Sequence, residues 1–244
     1  MQSWSLFLVG ACIAGFIQGL TGFAFALVAM SFWVWALPPQ LAAPLVVFAS
    51  LWCHIIALSK ERPHQLGISL VIPYIIAGLI GVPLGSYLLH QINAETFKLI
   101  LGVFLLIWCP IMYLAPEFKS LKRLSKKTDA VIGFLGGVLG GLGGFCGSLP
   151  SAWVMLKGLN KIEQRYILRH FNFAIQLFTF AVYIFQGTVQ LNQWPYIMVL
   201  MISVTIPAIL GSQLFYKVSE KQFKHIVLSL LFASGTFLVI STVI

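Results

Sequence analysis

Glycines at 133, 136, 137, 140, 141, 143, 144 and 147, followed by Pro150, interrupt an otherwise Leu-, Val- and Phe-rich stretch from Gly133 to Trp153. In a helix interior each glycine costs about 1 kcal/mol against alanine, so one straight helix is a poor fit. The backbone must turn here or be approached closely. An earlier stretch, Gly15 to Met30, carries the same signature. A shift of 122 positions lays Gly15 on Gly137, Gly19 on Gly141, Leu20 on Leu142, Gly22 on Gly144, Phe23 on Phe145 and Leu27 on Leu149. The first copy is the weaker, because Thr21 stands opposite Gly143 and Val28 opposite Pro150.

The glycines lie in a chain that is 59% hydrophobic and 9% charged, with mean hydropathy +0.96. A water-soluble domain could not present that surface to solvent, so a polytopic membrane protein is expected. Residues 1–5 hold no Lys or Arg, and a cleaved signal peptide is not expected. Apolar runs cover 5–37, 41–59, 67–89, 97–115, 130–156, 170–187, 193–216 and 223–244. Most have the length that crosses a hydrocarbon core of about 30 Å as helix. Cys12, Cys53, Cys109 and Cys146 sit singly in these runs without metal-binding spacing and read as small packing residues. Trp4, Trp108 and Trp194, near segment ends, read as interfacial anchors.

The loop charges decide the topology. If all eight segments cross, the fifteen Lys and Arg residues divide seven to eight between the two sides, which is no asymmetry. If the two glycine-rich segments instead dip in and return, fourteen collect on one side and only Lys98 remains on the other. The positive-inside rule selects the second arrangement. Six helices then cross, both termini lie outside, and 117–129 is a basic cytoplasmic linker. It divides a single membrane domain (1–244) into a first repeat, 1–116, and a second, 130–244. Each repeat is one re-entrant glycine-rich hairpin plus three transmembrane helices, so the halves are inverted. Gly81–Lys98 also resembles Ile206–Lys224, pairing Gly85-Ser86 with Gly211-Ser212. Two half-helices of about 12 residues would take each hairpin about 18 Å deep, near the midplane.

Inverted repeats with broken helices suit secondary transport, because half-helix N-termini direct N–H groups and positive dipole ends at an anion. The expected tip residues are Thr21 and Gly22 in the first hairpin and Gly143, Gly144, Gly147 and Ser148 in the second. Ser148 would cap its helix or offer a hydroxyl to the ligand, and Pro150 would fall in the first turn, where its missing N–H is harmless. Arg165, Arg169, Asn172, Gln176 and Thr179 lie along one helical face of segment six. In segment two, Ser50 and His54 are the inverted counterparts of Asn172 and Gln176. These four polar residues are expected to line the substrate cavity, with Arg165 and Arg169 at its cytoplasmic mouth. No acidic residue falls deep within a segment, which favours an anionic substrate over a cation. A proton or sodium ion is the candidate coupling ion, and His54 is the best-placed proton carrier.

The glycine-rich hairpins opening each half, the proline just after the second, the basic central linker and the length together resemble the TauE/SafE family of anion permeases, the sulfite exporters. The resemblance spans essentially the whole chain. It implies a multi-pass inner-membrane protein that moves sulfite, organosulfonates or related small anions, often outward, with no enzymatic activity and no cofactor. An anion channel is the alternative, distinguished by turnover rate. An intramembrane hydrolase using Ser148 or Cys146 fits less well, because Gly144-Phe145-Cys146-Gly147-Ser148 is not a nucleophile elbow. The glycines lack a following GK[ST], so no phosphate-binding loop is present.

Overall fold

Away from water a backbone must satisfy its own hydrogen bonds, and long apolar runs do so as helices. A computed structural model describes residues 2–59, 67–114, 126–157, 159, 161–189, 193–214 and 220–243. Its elements are α1 (Gln2–Thr21), α2 (Phe25–Trp33), α3 (Pro39–Ser59), α4 (Ile72–Gln91), α5 (Ala94–Leu114), α6 (Lys126–Gly143), α7 (Ser148–Leu156), α8 (Lys161–Phe185), α9 (Trp194–Leu214) and α10 (Glu220–Val243). Among the described residues there are no strands. The order is a long helix, a short one and three long ones, twice over. By length and composition six helices can cross a membrane: α1, α3, α4, α5, α8 and α9. Over the described residues of α10, Leu231–Thr242 is apolar. The basic linker lies mostly outside the described residues.

Each glycine-rich segment breaks once, at a positive-φ glycine: Gly22 (φ 83°) between α1 and α2, and Gly144 (φ 81°) between α6 and α7. The arms are unequal, 20 and 9 residues in the first and 18 and 9 in the second, not two arms of about 12. Glycines 133 to 141 do not turn the chain at all. They stay helical: Gly136 and Gly140 face Cys146 and α8, and another helix lies against Gly133, Gly137 and Gly141.

That helix is α4. A Cβ on Gly137 would overlap the carbonyl oxygen of Gly78, and one on Gly141 would overlap that of Val82 and lie 2.7 Å from the amide nitrogen of Ser86. The same contact recurs between α1 and α9: a Cβ on Gly19 would overlap the carbonyl oxygen of Ala208 and lie 2.9 Å from the nitrogen of Ser212. Gly85 faces Val138 and Leu142 as Gly211 faces Phe16 and Leu20. Without a hydrophobic force between helices in lipid, such backbone proximity is what holds them together, and only glycine permits it. Numbers rise together along both pairs, so α1 runs parallel to α9 and α6 to α4.

Side-chain contacts join the two arms of each glycine-rich segment. The Trp33 indole N–H donates to the Phe7 carbonyl at 3.1 Å, tying the end of α2 to the start of α1. In the second hairpin the Lys157 ammonium pairs with Asp129 at 2.9 Å, and Asp129 also accepts from the Trp153 indole at 2.8 Å and the Tyr74 hydroxyl at 2.6 Å. Asp129 is therefore a buried carboxylate, but one at the helix start that is neutralised by Lys157. Beyond the turn, Tyr74 packs edge-on against Phe171 and Gly78 meets Ile175, so α8 runs parallel to α4 and hence to α6. Two successive long helices can point the same way because α7 carries the chain back.

Two further helix pairs meet, α3 with α8 and α5 with α10. Phe48 packs on Phe180 with ring centroids 5.5 Å apart, and Gln176 reaches Ser50, so α3 and α8 are antiparallel. Gly102 faces Val239 while Gly235 faces Leu105, so α5 and α10 are antiparallel as well. Outward-facing side chains are apolar, Ile80, Ile202, Ile206 and Phe237 among the most exposed. Trp4 and Trp194 share that surface, whereas Trp108 is buried and donates its indole N–H to the Ser148 carbonyl at 3.0 Å. Cys53, Cys109 and Cys146 are buried; Cys12 is exposed on the outer face.

Candidate functional site

Both tips are closed by the same device. The N–H of Gly22 bonds the Gln18 carbonyl at 2.7 Å, and that of Gly144 bonds the Gly140 carbonyl at 2.8 Å, the left-handed helix stop that glycine makes without steric cost. The short helices then start, and the two tips touch. Phe23 lies against Gly147, where a Cβ would be 2.7 Å from the Phe23 Cβ. Ala26 lies near Gly144, alongside Val46 and Val47 of α3. Gly143 stands aside, facing only the Phe145 ring.

The two helix starts differ in how they are capped. In the first, the Phe25 N–H donates to the Gln18 Oε1 at 2.9 Å, while Ala24 and Phe23 share the Thr21 hydroxyl at 3.3 and 3.4 Å. In the second, Gly147 precedes α7 with no side-chain cap, and Pro150 sits in the first turn. The Ser148 hydroxyl does not cap α7; it donates to the Phe145 carbonyl at 2.6 Å. Asn172 presses on this start, its amide nitrogen 2.6 Å from where a Gly147 Cβ would lie, and donates a long 3.4 Å bond to the Gly22 carbonyl. Asn172 thus touches both tips.

Behind the tips runs a buried polar chain. Gln176 Nε2 donates to Ser50 Oγ at 2.8 Å, Gln18 Nε2 approaches the same oxygen at 3.3 Å, and Gln18 Nε2 lies 2.9 Å from His54 Nε2. All four residues are at most 3% exposed. Two of the local amide oxygens, Asn172 Oδ1 and Gln176 Oε1, are buried without a geometrically good hydrogen-bond partner. The Gln176 amide also faces the Cys146 sulfur, a weak acceptor. A buried acceptor without a partner normally costs about 1–3 kcal/mol.

A cleft opens beside this chain between α1, α3, α8 and α9, bordered by Gln18, Gly22, Cys53, His54, Arg169 and Ser212. Of the residues picked from sequence, Gly22, His54 and Arg169 border it; Ser50 and Gln176 connect to it through Gln18, and Thr21, Gly143, Gly144, Gly147, Ser148 and Asn172 do not line it. Arg169 is only 5% exposed and points into the cleft, while Arg165 is half-buried one turn away. Gln18 and Ser212 were not anticipated. The available signal for Gln18 was its being a lone amide in an apolar helix, where such a side chain must find a partner. Among the described residues no acidic one borders the cleft, and the charged group at its border is Arg169.

Long apolar helices, with two glycine-rich breaks inside the fold near buried polar groups, define a multi-pass helical membrane protein. Residues 6–238 match the family model for the sulfite exporter TauE/SafE, and the chain belongs to that family, one of membrane transporters for sulfite and related anions. No curated protein matches the chain.

Proposed function

We propose that the protein is a secondary transporter that exports small anions such as sulfite or organosulfonates across the inner membrane. The observation that carries this reading is the meeting of the two tips, where the starts of α2 and α7 and the Asn172 amide converge next to a cleft bordered by Arg169. Backbone N–H groups at the helix starts would take the anion's oxygens, and Asn172 and Gln176 would fix its orientation. Their unfilled carbonyl oxygens suit a ligand that also brings a donor, as a singly protonated oxyanion or a water of its shell does. Thr21, Gly22, Ser50, His54, Gly143, Gly144, Gly147 and Ser148 complete the site, the hydroxyl of Ser148 serving through its lone pairs.

The transport cycle follows from the repeat. Residues 1–116 and 130–244 form inverted halves joined by a cytoplasmic linker, 117–129. Both hairpins are re-entrant, and both termini lie outside. Two observations support the inversion: equivalent helices pack antiparallel (α3 with α8, α5 with α10), and the loop charges favour returning hairpins. Rocking one half against the other around the tips would then expose the site to each side in turn.

The test is thermal stabilisation of purified protein by sulfite, thiosulfate, sulfoacetate, sulfate, acetate and cationic controls. Binding at a hundredfold excess over Kd adds about 2.7 kcal/mol to stability. Stabilisation by sulfur oxyanions or sulfonates, cancelled in Asn172→Leu, is expected, together with counterflow of the same anion in proteoliposomes. Stabilisation by cations alone would overturn the anion reading. Conduction without counterflow would mark a channel.

A further inference from the structure

Gln18 has an amide whose orientation is dictated by its neighbours. The Phe25 backbone N–H can only donate, so the Gln18 atom 2.9 Å from it must be the carbonyl oxygen. The amide nitrogen therefore faces Ser50 at 3.3 Å and His54 Nε2 at 2.9 Å. An NH2 group can only donate, so His54 Nε2 is the acceptor and carries no proton in this state. One rigid amide thus reads the protonation of His54 on one side and holds the first N–H of α2 on the other.

We propose that His54 takes up the coupling proton and that Gln18 transmits its arrival to the anion site. A proton on Nε2 turns that atom into a donor facing a donor. The conflict is relieved when the Gln18 amide turns over, giving its oxygen to His54. The same rotation withdraws that oxygen from Phe25 and leaves the N–H of α2 without its internal acceptor, open to an anion's oxygen. Proton and anion therefore occupy the same state and travel in the same direction. The only bond made or broken is the Nε2–H bond of His54: the Nε2 lone pair takes a proton from hydronium, leaving water, and gives it back to water when Gln18 returns to Phe25.

The cleft's charges agree with this coupling. Among the described residues, the titratable or charged side chains that border it from α1, α3, α8 and α9 are Cys53, His54 and Arg169. Arg169 opposes a second positive charge on His54, and a bound anion offsets both. His54 and Gln18 are each at most 3% exposed, so the exchange is shielded from bulk water.

This inference rests on the anion reading above, and calorimetry separates the two. Thiosulfate and sulfoacetate, whose sulfur-bound oxygens stay deprotonated near neutral pH, are titrated into the detergent-purified full chain in two buffers of different ionisation enthalpy. The buffer difference gives the protons taken up per anion, expected to be about one, with affinity falling up to about tenfold per unit rise in pH. In His54→Gln, the remaining binding should carry no proton and show no pH dependence. Gln18→Met keeps His54 but cuts its link to Phe25, and uptake should be lost there too. Binding without proton uptake in the unaltered protein overturns the coupling and leaves the anion reading standing. Uptake that persists in Gln18→Met overturns the relay. Failure of every anion to bind overturns both.

Discussion

At the residue scale, glycine does two different jobs here, and they separate experimentally. Gly22 supplies a positive φ in open space, with no atom within 4 Å of where its Cβ would be. Alanine there pays only the left-handed penalty of about 1–2 kcal/mol. Gly85 has an ordinary helical backbone, but its Cβ would overlap the Val138 carbonyl oxygen and lie 2.9 Å from the Leu142 nitrogen. Backbone cannot step aside as a side chain can, so α4 and α6 must separate, at a cost of about 3 kcal/mol. Melting in detergent should therefore drop further for Gly85→Ala than for Gly22→Ala. Equal drops would mean that α4 and α6 are not held by backbone contact.

At the element scale, the second hairpin depends on a latch. Asp129, in the first turn of α6, accepts from Tyr74 of α4 and from Trp153 and Lys157 at the end of α7, joining three elements through one carboxylate. The pair is largely buried, with side chains 9% and 16% exposed. Breaking such a pair leaves an uncompensated charge. Asp129→Asn should lower stability by about 2–3 kcal/mol, and Asp129→Asn combined with Lys157→Met should recover part of the loss. If the two substitutions were additive in a double-mutant cycle, the latch would be discounted. The first hairpin does the same work with an uncharged bond from Trp33 to Phe7.

The unequal arms belong to this scale too. Glycine density in 133–153 pointed to a turn, and a turn is there, at Gly144. The density itself came from another cause, since Gly133, Gly137 and Gly141 follow the four-residue spacing of one helix face against α4. Composition reports that glycine is needed. It does not report whether φ or proximity needs it.

For the whole molecule, topology is the prediction to test. In a background free of the four native cysteines, single cysteines at Asn160 and Ser219 should resist an impermeant thiol reagent added outside intact cells and react once the membrane is opened. Labelling of both from outside would show that the glycine-rich segments cross rather than return, and would sink the inverted-repeat reading. The fourteen-to-one charge division is what makes this expectation sharp.

Much of the architecture could be read from the chain itself: the membrane class, the helical content, the two glycine-rich breaks and the pairing of Gly15 with Gly137 and Gly85 with Gly211. These are local or periodic properties, and apolar length, glycine spacing and loop charge record them directly. The two pairings have different offsets, 122 and 126, because four extra residues enter the second repeat before α9. The structure keeps both offsets in equivalent contacts. What only the tertiary structure decided was which polar groups meet. Gln18 reaches Phe25 seven residues on, but its other partners, Ser50 and His54, lie 32 and 36 residues away on another helix. Asn172 meets Gly22 across 150 residues. Partners so far apart leave no periodic trace in one sequence, because their proximity is created by helices packing at glycine contacts.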